Sequence, residues 1–189
     1  MLDAILLPDE WHDRYYSFNK HWDAKGRRMG SMRNGQGDYY FILFGANGVA
    51  IKGYDHECRM AAPGSPPLGV LTEFPNRIDD FLSEPAFTME DTTFCIWHLP
   101  GQAWTIGDIT YPEGDDPDGS EFLLDLLTGK SRDYQAFAEG YYEQDVPLRA
   151  VDAIYAHEPL TAELVGSLNS ATSIDALAED IAQIGYPQV

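Results

Sequence analysis

Aromatic side chains near the start of the chain are spaced as on one face of a helix. Four of the five aromatic residues in 8–22 are spaced by four, three and four positions: Trp11, Tyr15, Phe18 and Trp22. This repeat predicts an amphipathic α-helix over residues 8–22. Residues 25–37 follow with four glycines, three arginines and no periodicity. This stretch is therefore predicted to be a basic loop.

Runs of aromatic and β-branched residues predict strands in the region 38–110. Four runs have this character: 39–44, 49–54, 92–98 and 104–109. The first two flank Asn47-Gly48, a dipeptide typical of a two-residue hairpin turn of type I′, whose two central residues both need positive φ. A short helix beginning at proline is predicted over residues 75–82, with Ile78, Phe81 and Leu82 on its buried side.

The rest of the chain, residues 118–185, has apolar residues at helical spacing. It predicts four to five helices within the segments 118–128, 131–143, 147–155, 160–168 and 173–184. Strands followed by helices, without strand–helix–strand alternation, favour the α+β class over α/β. The prediction is a single domain over residues 1–189. In it, a small antiparallel sheet of about four strands in the N-terminal half packs against a C-terminal set of four to five helices.

Charge is distributed unevenly along the chain. Asp and Glu number 31 against 12 Lys and Arg, which gives a net charge of −19. Through Arg77 nine basic residues oppose nine acidic ones, whereas from Ile78 onward three oppose 22. Such a surface repels nucleic acid and attracts a basic protein partner. For the charge taken alone, the favoured interpretation is that it only keeps the protein in solution. Arg27, Arg28 and Arg33 could bind an anionic ligand, but the favoured expectation is that they pair with the acidic half of the chain itself.

Membrane insertion and export are not predicted. The longest apolar run, residues 39–46, is far shorter than the roughly 18 residues of a membrane-spanning helix. The start of the chain shows no basic segment followed by a long apolar one, so a cytoplasmic location is expected. Cys58 and Cys95 are expected to be free thiols, as in a reducing compartment.

The densest group of reactive side chains directly follows the second predicted strand: Asp55, His56, Glu57 and Cys58. These residue types can bind a metal ion or form a nucleophile–base pair. If the strand continues, alternation allows Asp55 to share a side with Glu57, or His56 with Cys58. One hypothesis is a metal-assisted hydrolase that uses His56 with Asp55 or Glu57, and Asp108 as a further candidate. The alternative is a polar turn at a strand end, since no known catalytic motif accompanies the group.

A second acidic group resembles a calcium-binding loop in spacing. Asp116 and Asp118 match two ligand positions of such a loop, and Asp125 lies where its bidentate glutamate belongs. The first position is Gly114, which has no side-chain oxygen. The favoured interpretation is an acidic turn in which Asp118 or Ser120 caps the following helix. No cofactor is predicted.

Several short segments are similar to a family of uncharacterised bacterial cytosolic proteins. They are Ile51–Glu57, Thr93–Trp97, Asp116–Ser120, Tyr141–Glu143 and Ile184–Pro187. The resemblance covers most of the chain from Phe41 to the end and implies no particular activity, substrate or catalytic residue. In its general style, a small acidic α+β domain with many aromatic residues, the chain also resembles bacterial immunity proteins, which neutralise toxins. The function expected first is an acidic binding protein, an immunity-type inhibitor that docks a basic partner protein. The hydrolase is the alternative.

Overall fold

The computed structural model describes residues 1–188, and it confirms the α+β class. The strands are β1 (Tyr16–Asn19), β2 (Arg28–Arg33), β3 (Tyr39–Gly45), β4 (Gly48–Tyr54), β5 (Phe94–His98) and β6 (Trp104–Ile106). The α-helices are α1 (Leu2–Leu6), α2 (Ser120–Thr128), α3 (Ser131–Tyr142), α4 (Leu148–Tyr155), α5 (Ala162–Leu168) and α6 (Ala178–Ile184). The chain forms two compact units: a sheet unit, Tyr16–Leu124, and a helical unit, Met1–Tyr15 with Asp125–Val189.

The strands form one antiparallel sheet in which they lie in chain order from β1 to β6. The sheet has six strands, whereas about four were predicted. The predicted hairpin is confirmed as β3 and β4, with Gly45 opposite Gly48. The predicted turn type is wrong, because the two-residue loop is Ala46-Asn47 and neither residue has the positive φ of a type I′ turn.

The helix predicted over residues 8–22 is wrong. Residues 11–13 form a 3₁₀ turn, and β1 follows and pairs with β2. The aromatic residues do not share one face, since Trp11 is 71% exposed whereas the Trp22 ring stacks on Phe87. A spacing of four, three and four residues describes a helical face only if the backbone between the positions is helical.

The basic loop predicted over residues 25–37 is wrong in its centre, which is β2. Gly30 and Ser31 occupy the middle of this strand and are buried. The Phe18 ring of β1 packs over Gly30, where a Cβ would lie 3.6 Å from Cδ2 of that ring. β2 is an interior strand that has small residues where apolar side chains would be expected to alternate with polar ones. The sequence pattern therefore did not predict this strand.

One face of the sheet carries the core of the sheet unit. Phe41, Leu43, Cys95 and Trp97 lie there with residues from the connection between β4 and β5. The short helix predicted over 75–82 is a 3₁₀ segment, Asn76–Phe81, and non-helical φ and ψ at Ile78 kink it. Ile78 and Phe81 are buried as predicted, whereas Leu82 is half-buried.

A lysine belongs to the buried part of this sheet. Lys52 on β4 is completely buried, opposite Phe41 on β3 and Cys95 on β5. Its Nζ lies 4.5 Å from the centre of the Tyr39 ring. Lys52 Nζ donates hydrogen bonds to the carbonyl oxygens of Thr88, at 3.2 Å, and Asp91, at 2.5 Å. Burial lowers the pKa of Lys52 to about 8.

In the helical unit the predicted helices 131–143 and 147–155 are confirmed as α3 and α4, which pack against each other. Val151 and Ile154 on α4 are buried as predicted. Tyr155 is 42% exposed, although it was expected to point inward. Its ring still lies 6.2 Å from that of Tyr134, so the ring covers its neighbour while keeping one side in water.

The last two predicted helices are confirmed as α5 and α6, although α6 begins only at Ala178. The short helix α1 was not predicted; all of its residues are buried and it packs against α5. Its Asp3 carboxylate accepts a hydrogen bond from the Tyr134 hydroxyl. None of the helices in residues 1–188 combines the length and the apolar character needed to cross a bilayer.

Candidate functional site

The reactive group after β4 lies in a turn rather than on a strand. β4 ends at Tyr54, and Asp55 Oδ1 then accepts the backbone N–H groups of Glu57, at 2.9 Å, and Cys58, at 3.1 Å. This side-chain turn ends the strand alternation. The expectation that Asp55 shares a side with Glu57, or His56 with Cys58, therefore does not apply.

The turn brings His56 to Asp38, which directly precedes β3. Asp38 Oδ1 accepts the backbone N–H of His56 at 2.9 Å and lies 2.6 Å from the ring Nδ1 of His56. Asn34 Nδ2 donates to Asp38 Oδ2 at 2.5 Å. Because a carboxylate only accepts, His56 carries its proton on Nδ1 and keeps Nε2 for another partner.

This contact changes the pKa of both groups. Burial by itself raises the pKa of Asp38, but the hydrogen bonds from His56 and Asn34 outweigh it and hold the pKa below its ordinary value. The hydrogen bond to Asp38 raises the pKa of His56, against a smaller opposing effect of desolvation. Asp38 is buried, whereas 40% of the His56 side chain is exposed. The imidazole is thus fixed from one side and open to solvent on the other.

An acidic cleft of about 440 Å³ lies beside this pair. Its charged lining residues are Asp38, Asp55, Glu57, Arg59, Asp115 and Asp116. The guanidinium of Arg59 donates to the carbonyl of Glu113. Five carboxylates against one guanidinium give the cleft a negative potential, which raises the local concentration of cations.

Asp55 belongs to the same group as Asp38 and His56. One ligand atom from each of these three residues lies within 4.8 Å of the others. Glu57 Oε1 lies 3.9 Å from His56 Nε2, and 84% of the Glu57 side chain is exposed. Three of the four residues singled out from the sequence are thus close to one another, although Glu57 is free to move.

Cys58 and Asp108 are not part of this group. Burial raises the pKa of the Cys58 thiol, which is the opposite of what a nucleophilic cysteine needs. Cys95 is buried, and burial raises its pKa to about 12. Both cysteines are free thiols, as predicted. Asp108 is exposed and does not line the cleft. Metal-assisted hydrolysis stays a prediction.

The loop that resembles a calcium site caps α2. Asp116 accepts the backbone N–H groups of Glu121, at 3.0 Å, and Phe122, at 2.8 Å. Asp118 accepts that of Ser120 at 3.0 Å. Asp125 is exposed on α2. Among residues 1–188, Asp116, Asp118 and Asp125 do not form a group with metal-ligand spacing. The capping interpretation therefore describes the loop, with Asp116 rather than Ser120 as the second capping residue.

Asp38 was missed in the sequence because it lies at the end of a stretch without periodicity. The signal that could have found it is the register of the hairpin. Tyr39 pairs with Tyr54, so the residue before β3 lies beside the residues that follow β4. Chemistry-bearing residues at both open ends of a predicted hairpin come together whatever the loop sequences are.

A second feature lies in the helical unit, around Trp11. Residues 9–13 read Asp-Glu-Trp-His-Asp and are all exposed, Trp11 to 71%. Arg14 fastens this segment: its guanidinium donates to the carbonyls of Leu7, at 2.8 Å, and Pro8, at 2.7 Å, and pairs with Asp180 on α6. Only 8% of the Arg14 side chain is exposed, so its charge lies beneath the segment. We call Asp9, Glu10, Trp11 and Asp13 the Trp11 surface.

The helical unit that carries this surface is strongly acidic. The unit has 15 acidic and four basic residues. Apart from Arg14, the basic residues lie on or next to α3 and α4: Lys130, Arg132 and Arg149. Residues 1–13 and 150–188 contain ten acidic residues and no lysine or arginine.

Arg27, Arg28 and Arg33 are engaged within the sheet unit. Arg27 forms ion pairs with Asp23, at 2.5 Å, and, as expected, with Asp80 of the acidic half of the chain, at 2.8 Å. Arg28 and Arg33 instead lie over aromatic rings, those of Phe44 and Phe41. The pairing expected for all three arginines is thus confirmed only for Arg27, and its partners are not acidic residues of the helical unit.

No protein-family model, curated protein or solved structure matches this chain. The resemblance to uncharacterised bacterial proteins and the likeness to immunity proteins therefore stay predictions. A functional proposal has to rest on the two features described above.

Proposed function

We propose that this protein docks a basic partner protein through the Trp11 surface, in the manner of an immunity-type inhibitor. The observation that carries the proposal is a 71% exposed tryptophan between carboxylates on a segment fastened by a buried arginine. Single exposed apolar side chains are common on protein surfaces, and Trp11 differs from them by the carboxylates beside it and by the fastened backbone that precedes it.

Tryptophan is enriched among the residues that dominate protein–protein binding energy. Trp11 buries a large apolar area when a partner covers it, and its ring face attracts a lysine or arginine side chain. Because Arg14 holds the backbone at Leu7 and Pro8, this part of the backbone loses little conformational freedom on docking. An exposed tryptophan that follows a fastened backbone is suited to be the centre of an interface.

The surrounding carboxylates select the sign of the partner. Asp9, Glu10 and Asp13 flank the ring, and the segments 1–13 and 150–188 add no cation to them. Complementary charge speeds encounter with a basic protein and discriminates against acidic ones. Exposed charges are screened within about 8 Å at physiological salt, so this contribution depends strongly on ionic strength.

The first experiment is affinity capture with the immobilised protein from a lysate of its source cells at low and high NaCl concentration. We expect a captured protein of basic isoelectric point whose recovery falls as salt rises. The binding constant of that purified partner is then measured for the wild type and for Trp11→Ala. Removal of a central tryptophan is expected to weaken binding by about 30-fold, or roughly 2 kcal/mol.

Leu68→Ala is the matched control, because Leu68 is 97% exposed and belongs to the sheet unit. It should leave the binding constant unchanged. Charge reversal by Asp9→Lys with Glu10→Lys should lower the association rate and flatten the salt dependence. Equal binding by Trp11→Ala and the wild type, or capture that is indifferent to salt, contradicts the proposal.

A further inference from the structure

The arrangement of Asp38 and His56 has the geometry that proteins use to orient a metal-binding histidine. Such histidines donate one ring N–H to a carboxylate or carbonyl, which fixes the ring and presents the other nitrogen to the metal. Asp38 fulfils this role, at 2.6 Å from Nδ1 and with a second hydrogen bond to the backbone of the same residue. Asn34 holds the other carboxylate oxygen in place. Two hydrogen bonds to Asp38, which Asn34 holds in place, therefore orient His56.

The carboxylate of Glu57 lies near the open nitrogen, and that of Asp55 lies near the imidazole ring. Glu57 Oε1 is 3.9 Å from Nε2, and a carboxylate oxygen of Asp55 lies within 4.8 Å of a ring nitrogen. Ligand atoms around a tetrahedral Zn²⁺ ion lie roughly 3.4 Å apart, since each bond is about 2.0–2.2 Å long. The separation between Glu57 and His56 exceeds that value by about 0.5 Å, and that between Asp55 and His56 by at most about 1.4 Å. Rotation of the exposed Glu57 side chain and a small shift of Asp55 close this difference.

The remaining charge of the cleft favours a cation over an anion. Asp115 and Asp116 also line it, and Arg59 is turned toward the Glu113 carbonyl. A mixed set of one imidazole and two carboxylates suits divalent transition metals, whereas Mg²⁺ and Ca²⁺ prefer oxygen ligands alone. The oriented imidazole is thus an observation independent of the acidic lining, and it sets the class of the ion.

We propose that His56 Nε2, Asp55 and Glu57 bind a divalent transition-metal cation of the Zn²⁺ or Co²⁺ type, with Asp38 as the positioning residue. Three protein ligands leave a further coordination position for water or another ligand. The site lies in the sheet unit and does not depend on the docking proposed for the Trp11 surface.

Calorimetric titration of the full chain with ZnCl₂ tests the site directly. We expect one saturable site for the wild type and weakening of at least tenfold for His56→Gln and for Asp55→Asn. Two matched controls should change the affinity by less than about threefold. His21→Gln removes an exposed histidine elsewhere in the sheet unit, and Asp115→Asn removes a carboxylate that lines the cleft outside the ligand set.

Co²⁺ supplies a spectroscopic test of the ligands. A site that includes an imidazole and has fewer than six ligands gives visible ligand-field absorption, which His56→Gln should abolish. Loss of an orienting carboxylate typically costs about 10- to 100-fold in metal affinity, so Asp38→Asn is expected to fall in that range. Nitrogen NMR of His56 without metal should show Nδ1–H in the wild type and a mixture of tautomers in Asp38→Asn. A merely structural role for Asp38 would not move this mixture.

Absence of saturable Zn²⁺ or Co²⁺ binding by the wild type overturns the proposal. Binding that His56→Gln leaves intact overturns it as well, because the ion then sits on the acidic lining alone. If Asp38→Asn does not fold, His56→Gln and Asp55→Asn decide the matter. Saturable binding that those two variants lose and both controls retain establishes the site, whatever the Trp11 surface binds.

Discussion

Lys52 is a single residue whose buried ammonium group affects the stability of the sheet unit. Its ammonium lies among apolar side chains, and its close neighbours are two carbonyl oxygens and the Tyr39 ring. A carbonyl carries only a partial charge and compensates the loss of hydration incompletely, which is why the pKa of Lys52 falls to about 8. Burial of this charge therefore lowers the free energy of unfolding at neutral pH.

The lowered pKa of Lys52 predicts how the stability of the protein depends on pH. In the unfolded chain the pKa of Lys52 returns to its ordinary value of 10.5, so between about 8 and 10.5 the unfolded state binds more protons than the folded one. The contribution of Lys52 to the free energy of unfolding then rises with pH in this window, by about 1.5 kcal/mol between pH 8 and 9.5. Urea denaturation over that range measures it. Lys52→Met should lack the rise, and equal slopes for both proteins would refute the assignment.

The candidate metal site shows what single residues reveal in a sequence and what they do not. Asp55, His56 and Glu57 were recognised because reactive side chains crowd together after a strand. Asp38 was not recognised, since its role depends on its position opposite the turn and not on its own neighbours. Contacts between residues 18 positions apart follow from strand register, which the sequence supplies only where the hairpin is correctly placed.

At the scale of elements, α2 depends on the residue that precedes it. Asp116 accepts two backbone N–H groups of its first turn and has a left-handed φ of 42°, which Asp tolerates better than most residues. Asp116→Ala is expected to lower the free energy of unfolding by about 0.5–2 kcal/mol. Chemical denaturation of the full chain measures this. Asp115→Ala, at the neighbouring exposed residue, is the control and should have little effect. An equal loss of unfolding free energy in both variants would show that charge, not capping, is responsible.

The helices of the C-terminal half were predictable as elements, and β1 and β2 were not. α3 and α4 each bury a continuous apolar stripe, so their periodicity is visible. β2 has neighbours on both sides and contains Gly30 and Ser31 where an apolar alternation would be expected. Of the aromatic residues before β2, Trp11 and Tyr15 belong to the helical unit, whereas Phe18 and Trp22 belong to the sheet unit. Their helical spacing therefore does not correspond to a helix.

At the scale of the whole molecule, the net charge of −19 opposes the compact state. Like charges are closer together in the folded protein than in the unfolded chain, and added salt screens their repulsion. We therefore expect thermal unfolding to shift upward between low and moderate NaCl. A rise of about 3 °C corresponds to roughly 1 kcal/mol for a chain of this size.

The control for the salt effect is a variant with less charge in the helical unit. Glu163→Gln combined with Glu179→Gln removes two exposed carboxylates from the part of the chain without basic residues. Its melting temperature should respond less to NaCl than that of the wild type. A melting temperature that is independent of NaCl, or one that falls, would show that self-repulsion does not limit stability.

The helical unit is formed by two segments that are separated along the chain by the whole sheet unit. One segment is therefore synthesised well before the other. Met1–Tyr15 emerge first, yet their packing partners begin only at Asp125. At roughly 5–20 residues per second, the intervening stretch delays those partners by about 5–20 s. During that interval the segment that contains Trp11 lacks the residues against which it packs. The strands of the sheet unit, in contrast, can already pair one after another. The helical unit therefore forms only after the residues of the sheet unit have been synthesised.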